Sequence, residues 1–291
     1  MVWDGIIACY LFLAGLGAGA FALAALAGFA KPDATKLRLA GYLIAPIAVA
    51  VGTVLLMVDA KAGLMNPLRF FGLLANFSSV MAWGVVILIL FMIVSVTALV
   101  IMLRKKSTPK ALDIVGLVCA VAVAMYTGLL LGDAPGFPLW NPIVLPLLFL
   151  VSAASSGFAA VLLVTHAGKS GEPEGLGFLK KTGLALPVLE AVLVVVLLAV
   201  TASVGGSAGP AAAASVANLV SGPYAVAFWL GLVVVGLALP FCLELVRAAQ
   251  AKKNPGAASS GMAIAGEACV LVGGFLLRYL VIMAAVPLVL F

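Results

Sequence analysis

The amino-acid sequence predicts an all-α membrane protein, an eight-transmembrane-helix bundle with both termini on the outer, periplasmic side. Hydrophobic residues make up 65% of the 291 residues and charged residues only 9%, whereas a soluble domain carries roughly 25% charged residues. Eight apolar stretches of the chain each reach the roughly 20 residues that a membrane-spanning helix needs. An even number of spans places the two termini on the same side of the membrane.

The predicted spans belong to a single domain over residues 1–291, and they cover residues 5–30, 37–59, 78–103, 111–131, 142–167, 181–203, 223–247 and 262–287. We expect no signal peptide, because the apolar run after Asp4 is too long for one and no charged segment precedes it. Residues 63–77 are too short to span, and their arginine and phenylalanines are typical of an interfacial or re-entrant segment on the outer face. Residues 205–218 are expected to form an outer loop or a short surface helix.

Basic residues predict the orientation of the bundle. Nearly all of the 16 Lys and Arg residues lie in the connections that follow spans one, three, five and seven. The opposite connections hold only Lys61 and Arg69, and Arg278 lies within the last span. Because basic connections stay in the cytoplasm, this bias places the other connections outside. The net charge of +6 is therefore attributed to orientation in the membrane and not to nucleic-acid binding.

Several kinds of chemistry are not expected of this chain. The four cysteines are scattered without a CxxC pattern, as expected for small apolar core residues. The single histidine, His166, cannot supply the two axial ligands of a bis-histidine haem, so we expect no haem. Neither a metal-ligand cluster nor a phosphate-binding glycine loop with a lysine is present in the sequence. Any electron carriers would therefore sit on other subunits, and the chain is not expected to be catalytic alone.

The stretch from Met125 to Gly157 predicts a helical hairpin with a distinctive tip. One apolar run ends in Tyr126-Thr127-Gly128, and the next begins at Pro142. The loop between them is rich in Pro and Gly and carries Asp133 and the pair Trp140-Asn141. An aromatic and polar tip between two apolar helices is the expected form of a docking and ligand surface on the outer face.

Four ionisable residues lie within or at the end of the predicted spans. Glu190 is near the middle of the sixth span, and Asp59 closes the second at its outer end. Glu267 and Arg278 share a face of the eighth span, because eleven residues at about 100° each bring them within roughly 20°. Buried charges are costly in a membrane and mark functional sites. They predict a proton or water path toward a redox site; the alternative is a structural salt bridge between Arg278 and Glu190.

Three other features are assigned less specific roles. The glycines of Gly15-Leu16-Gly17-Ala18-Gly19 are expected to form a helix-packing face. Glu244 lies one turn from Arg247 at the inner end of the seventh span and is expected to be solvated. His166 ends the fifth span and is assigned to the inner surface.

Four blocks of the sequence resemble the NrfD/polysulfide reductase (PsrC-like) family of integral membrane subunits. The first runs from Tyr10-Leu11-Phe12 to Phe21, and the second from Tyr126-Thr127-Gly128 through Trp140-Asn141 to Leu150. The third is the segment 273–279, which contains Arg278, and the fourth covers residues 66–77. The order and spacing of the four blocks extend the resemblance over essentially the whole chain.

The resemblance implies a multi-pass protein of a prokaryotic inner (cytoplasmic) membrane with eight spans and no haem. It implies a quinone, menaquinone or ubiquinone, bound near the outer face. A four-cluster iron–sulfur subunit would dock there and connect the chain to a molybdopterin-type catalytic subunit. Tyr126 corresponds to the family's quinone hydrogen-bonding tyrosine. Glu190 and Arg278 correspond to its sixth-span acid and its last-span arginine.

One position departs from the family pattern. Where relatives often carry a His or Asp before a Pro-containing segment, this chain has Gly63. The missing polar group is expected to be replaced by Asp59, Lys61 or Asn66. The candidate quinone-binding residues are Tyr126, Asp59, Asn66 and Arg69.

The sequence thus predicts a quinone-reactive anchor of a respiratory oxidoreductase, which exchanges electrons between a membrane quinone and the docked iron–sulfur subunit. Glu190, Glu267 and Arg278 are the candidate proton-relay residues. Two alternatives remain open. The first is a structural anchor without quinone chemistry, for which Gly63 is the main argument. The second is a proton-coupled transporter, in which Pro187 and Pro240 would break the sixth and seventh spans.

Overall fold

The computed structural model describes residues 5–59, 80–134, 136–168, 177–253 and 260–288. The described chain is a bundle of long helices, eight of which are long and apolar enough to cross a membrane. This confirms the predicted eight-span, all-α fold class. The side of the membrane on which the termini lie stays a prediction.

The first four spans are α1 (Gly5–Ala30), α2 (Thr35–Asp59), α3 (Val80–Lys105) and α4 (Lys110–Gly132). The fifth and sixth are α5 (Val144–Ala167) and α6 (Gly177–Ala202), followed by a short 3₁₀ turn and the twelve-residue helix α7 (Gly209–Val220). The seventh combines a π-helix (Ala227–Ala238) with α8 (Leu239–Lys253), and the eighth is α9 (Ser260–Met283).

Helix α1 is the centre of the bundle. It packs against α2, α4, α5 and α9, and most of its length is buried. Its glycines allow this, because a Cβ on Gly19 would collide with the α5 backbone at Ala153 and Gly157. Small residues let membrane helices approach closely enough to gain dispersion energy that lipid cannot supply. Of the predicted glycine face of the first span, Gly19 therefore packs against α5, while Gly17 packs against α2.

The seventh span is a π-helix followed by an α-helix and not one continuous α-helix. Pro240 has no backbone N–H, and in an α-helix its ring would clash with the carbonyl of the residue four positions earlier. The π-helix ends two residues before this proline, and its wider turns relieve that clash. The sixth span, by contrast, remains one α-helix through Pro187.

The helix order gives the bundle two ends. We call the end at which α1, α3, α5 and α8 end and α2, α4, α6 and α9 begin the basic face. The opposite end, with the α4–α5 hairpin tip (residues 133–143), α7 and residues 284–288, is the tip face. Here Leu288 donates its backbone N–H to the carbonyl of Gly136 (2.7 Å), and Val286 donates its own to the Ser215 hydroxyl (2.9 Å). The segment 205–218, predicted as a loop or a surface helix, thus contributes α7, which holds the C-terminal segment.

Candidate functional site

Two buried tyrosines lie near the tip face. Tyr126 is six residues from the end of α4 and Tyr10 is five residues from the start of α1, so both lie about 8–9 Å inside the helix ends. Both side chains are buried, and they are close enough to interact electrostatically. The hydroxyl of Tyr10 has no hydrogen-bond partner within the described part of the chain. A buried, unsatisfied hydroxyl is costly, so it marks a place where an acceptor is expected to bind.

The Tyr126 ring packs directly on the backbone of α3. A Cβ atom built on Gly84 would fall on this ring. Any side chain at position 84 would therefore displace the tyrosine. Gly84 therefore positions Tyr126, a role that the sequence alone did not suggest.

Arg278 is fully buried and joins three helices. Its Nε donates a hydrogen bond to the carbonyl of Leu11 in α1 (3.2 Å), and its Nη1 donates to the Ser152 hydroxyl in α5 (3.0 Å) and to the Gly274 carbonyl in α9 (2.8 Å). The guanidinium lies over the Phe149 ring, 5.2 Å from its centroid. Its Nη2 has no hydrogen-bond partner among the residues described. The cation is thus held by neutral groups and an aromatic face, with donor capacity to spare.

Gly15 makes room for this arginine. A Cβ built on Gly15 would lie 2.6 Å from Arg278 Nη2, well inside van der Waals contact. The glycine face predicted only for helix packing therefore also houses the buried cation.

Glu190 reaches Arg278 through Ser152. The carboxyl of Glu190 is buried, and it interacts with the Ser152 hydroxyl and electrostatically with Arg278. Ser152 accepts a hydrogen bond from Arg278, so this hydroxyl lies near both charged side chains. The structure thus brings together two of the three predicted relay residues, and it adds Ser152, which the sequence did not single out among the many serines of the spans.

A cavity opens on the basic face between α5, α6, α8 and α9. Its lining includes Glu244, Arg247 and Glu267, and deeper in it includes Ser155 and Pro187. Glu244, predicted to be solvated, has an only 18% exposed side chain and is paired with Arg247 at 2.8 Å.

His166, predicted at the surface, is buried instead, and its Nδ1 lies 3.9 Å from Glu267 Oε1. Ser155 and Pro187, at the deep end of the cavity, are each three residues from Ser152 and Glu190 on the same helices. The cavity therefore ends one helical turn short of the Ser152–Glu190 pair.

The hairpin tip is partly a structural element. Trp140, which the sequence assigned to the docking surface, is buried, and its indole N–H donates to the carbonyl of Val281 in α9 (2.9 Å). Asn141 Oδ1 accepts hydrogen bonds from the backbone N–H groups of Ile143 and Val144 at the start of α5 (both 3.0 Å). Asp133 and Ile143 remain exposed at the tip.

A second buried ionic cluster lies at the basic face. Arg38 of α2 and Asp113 of α4 are both 2% exposed and pair at 3.6 Å. Asp113 also accepts hydrogen bonds from the hydroxyls of Tyr42 (2.6 Å) and Thr108 (2.8 Å). Charge patterning in the sequence groups Arg38 with the surface charges and assigns no role to Asp113. The signal for Asp113 is an acid placed two residues inside a predicted span.

The structure does not describe some of the predicted site residues. Asn66 and Arg69 lie in residues 60–79, outside the described ranges, as do Lys61, Gly63 and the interfacial segment 63–77. Asp59 ends α2, and its side chain is not described. Within the described ranges, no group of three or more His, Cys, Asp or Glu side chains is placed to hold a metal ion.

The fold and these buried groups define a class, a multi-pass helical membrane protein with polar side chains held between its spans. Residues 1–289 match the family model described as "Polysulphide reductase, NrfD". The chain belongs to this family of prokaryotic inner-membrane proteins, whose members are membrane subunits of redox complexes.

Three relatives agree with this assignment. The chain is 35% identical to the C subunit of polysulfide reductase from Wolinella succinogenes, over 98% of its own length and 94% of that protein. It is 28% identical to the NrfD homologue of Haemophilus influenzae, over 98% of its own length and 94% of that protein. It is 31% identical to the NrfD protein of Escherichia coli, over 84% of each protein.

Proposed function

We propose that this protein is the quinone-reactive membrane subunit of a respiratory oxidoreductase. It exchanges electrons between a membrane quinone, menaquinone or ubiquinone, and an iron–sulfur subunit docked on the tip face, with a molybdopterin-type catalytic subunit beyond. The observation that carries the proposal is the buried Tyr10 hydroxyl, which has no hydrogen-bond partner among the described residues, with the buried Tyr126 near the same end of the bundle. Membership of the NrfD family supports a redox-linked site in this chain, because members of the family are membrane subunits of redox complexes.

The two tyrosines fit a quinone headgroup. A quinone offers carbonyl oxygens, which accept hydrogen bonds, and each tyrosine offers one O–H donor. The Tyr10 hydroxyl is buried without an acceptor among the described residues, so a bound carbonyl would satisfy it. Tyr10 can therefore supply the second hydrogen bond that Gly63 leaves missing. Asp59, Asn66 and Arg69 remain the predicted additional contacts from the α2–α3 connection.

When bound, the quinone supplies the two-electron chemistry, while this chain binds it, orients it and handles protons. Glu190 is proposed as the proton-holding group, with the Ser152 hydroxyl as its neighbour in the path. Arg278 would lower the cost of a negative charge on Glu190 in a site from which water is excluded. Glu267 lines the cavity that leads from the basic face toward this pair, beside Glu244, so it would be an acid on the proton path from that side.

The site is tested by paired tyrosine variants in the assembled complex. Tyr126→Phe and Tyr10→Phe each remove one hydroxyl, and each is expected to weaken binding of a quinone analogue to membranes by about 2- to 10-fold. Quinol-linked turnover should fall with it, and the amount of assembled complex should not. The half-buried Tyr224 near the tip face provides the control, Tyr224→Phe, with binding unchanged.

The two predicted alternatives are separated by the same set of variants. Wild-type analogue binding in both Tyr126→Phe and Tyr10→Phe would contradict the quinone site and favour a purely structural anchor. A proton-coupled transporter would show solute uptake by the chain without partner subunits. Family membership argues against that alternative, since the family consists of redox-complex subunits.

A further inference from the structure

The α3–α4 connection carries four cations close together. Arg104 and Lys105 end α3, Lys106 follows in the connection, and Lys110 begins α4; all four side chains are exposed. Cations at this density repel one another unless acids or bound anions neutralise them.

The acid nearest to them in the chain is already engaged. Asp113 accepts hydrogen bonds on Oδ1 from the hydroxyls of Tyr42 and Thr108 (2.6 and 2.8 Å), and its Oδ2 faces Thr108 and Arg38 at 2.8 and 3.6 Å. It is only 2% exposed. Asp113 therefore neutralises the buried Arg38, and none of the four exposed cations has an ion-pair partner among the described residues.

The connection has a defined shape. Lys106 adopts a left-handed backbone conformation (φ 56°), and its N–H donates to the carbonyl of Met102 (2.9 Å), which closes the end of α3. Pro109 precedes α4, and Thr108 accepts a hydrogen bond from Arg38 (2.5 Å). This contact ties the connection to α2. The four cations thus project from an anchored turn and not from a free loop.

Below this turn the two helices present an apolar surface. Val100 and Leu103 of α3 are 42% and 61% exposed, and Ile114, Val115 and Val118 of α4 are 54%, 51% and 65% exposed. In a bilayer, such a surface next to basic side chains offers a place for acyl chains beneath a headgroup.

We propose that the basic turn 104–110 binds an anionic phospholipid of the adjacent leaflet, independently of the quinone function. The lipid phosphate lies among the four cations, and the acyl chains lie along the exposed valines, leucine and isoleucine of α3 and α4. Charge complementarity and the continuous apolar flank favour a lipid over a soluble acidic protein, which would use the charges but not the flank.

The test uses the purified full-length chain in nanodiscs of pure phosphatidylcholine or of phosphatidylcholine with phosphatidylglycerol. Wild type is expected to retain phosphatidylglycerol in native mass spectrometry and to unfold at a higher temperature in the mixed discs. The triple variant Lys105→Gln/Lys106→Gln/Lys110→Gln is expected to bind it about a hundredfold more weakly. All three side chains are exposed, so the variant should fold.

Two controls make the result specific. Lys105→Arg/Lys106→Arg/Lys110→Arg keeps the charges and should retain the lipid, and Lys36→Gln removes an exposed cation from the neighbouring connection and should retain it as well. Equal retention by wild type and the glutamine variant overturns the proposal. Equally strong binding of poly-glutamate in pure phosphatidylcholine discs also overturns it, because it would show that the apolar flank has no part in recognition.

Discussion

Arg278 Nη1 donates a 3.0 Å hydrogen bond to the hydroxyl of Ser152, the same hydroxyl that interacts with the Glu190 carboxyl. This polar oxygen on α5 binds a buried cation on α9 and is near a buried acid on α6. Hydroxyls can donate and accept at the same time, so Ser152 can hold both charged groups in one hydrogen-bonded chain. A direct salt bridge, the alternative left open by the sequence, would not need this serine.

Ser152→Ala is expected to lower the quinol-linked turnover of the assembled complex by roughly tenfold, because hydrogen bonds to charged groups contribute about 1.5–3 kcal/mol. The rate of the proton release or uptake that accompanies this turnover, followed with a pH-sensitive dye in proteoliposomes, should fall with it. The matched control is Ser156→Ala. Ser156 is also buried on α5, one turn away, but its hydroxyl donates to the backbone of its own helix at Ser152 (2.7 Å). Equal effects of the two variants would show that Ser152 is only structural.

Gly84→Ala is expected to displace the Tyr126 ring, because its new methyl group would occupy the position of that ring. Analogue binding and turnover should fall by at least the 2- to 10-fold expected of Tyr126→Phe. Fluorescence-detected thermal unfolding would reveal the overpacking as a loss of about 1–3 kcal/mol in stability. Gly136→Ala at the hairpin tip is the control, since a Cβ there meets no atom within 4 Å. Normal analogue binding in Gly84→Ala would remove Tyr126 from the binding site.

The spans were predictable because a bilayer imposes length and apolarity on every crossing helix, so composition alone reveals them. The π-helix was not, since Pro187 and Pro240 look alike in sequence and differ only in how the backbone accommodates them. Single buried charges such as Glu190 also stand out against apolar neighbours. Their partners do not, because a serine such as Ser152 occurs on many helix faces and only packing selects one.

The roles of the aromatic residues were harder to predict. Trp140 at a loop tip is typical of a docking surface, yet tertiary packing turns its ring inward to α9. Tyr10 lies in an apolar run that gives no sign of a neighbour more than a hundred residues away. The pairing of Tyr10 with Tyr126 follows from the helix packing of α1 against α4, which periodicity does not reveal.

Asp113→Ala is expected to destabilise the protein by about 3–5 kcal/mol, because it leaves the buried guanidinium of Arg38 without its counter-charge. Thermal unfolding in detergent, followed by circular dichroism, would measure this loss. Glu244→Ala breaks a second acid–arginine pair, and as that pair is more exposed it should cost about 1 kcal/mol or less. A similar loss of stability in both variants would mean that burial does not increase the contribution of the Arg38–Asp113 pair to the free energy of unfolding.

Trp140→Phe is expected to loosen the tip face. The variant keeps an aromatic ring that can stack on Phe137, whose centroid is 4.0 Å from that of Trp140. It loses the indole N–H that satisfies the Val281 carbonyl in the last turn of α9, where the helix itself offers no donor. The unsatisfied carbonyl should cost about 1–3 kcal/mol, and hydrogen–deuterium exchange should rise in residues 280–288.

Trp229→Phe is the matched control, because Trp229 makes the same kind of bond, from its indole N–H to the Val220 carbonyl (3.0 Å), with a side chain that is 47% exposed. Water can replace that bond, so the change should stay within about 0.5 kcal/mol. If the two variants are equally stable, then the Trp140 bond does not hold the tip to α9, and the tip is free to serve docking alone. If only Trp140→Phe is loosened, the hairpin that would receive a redox partner is also a structural element that fixes the end of the helix carrying Arg278.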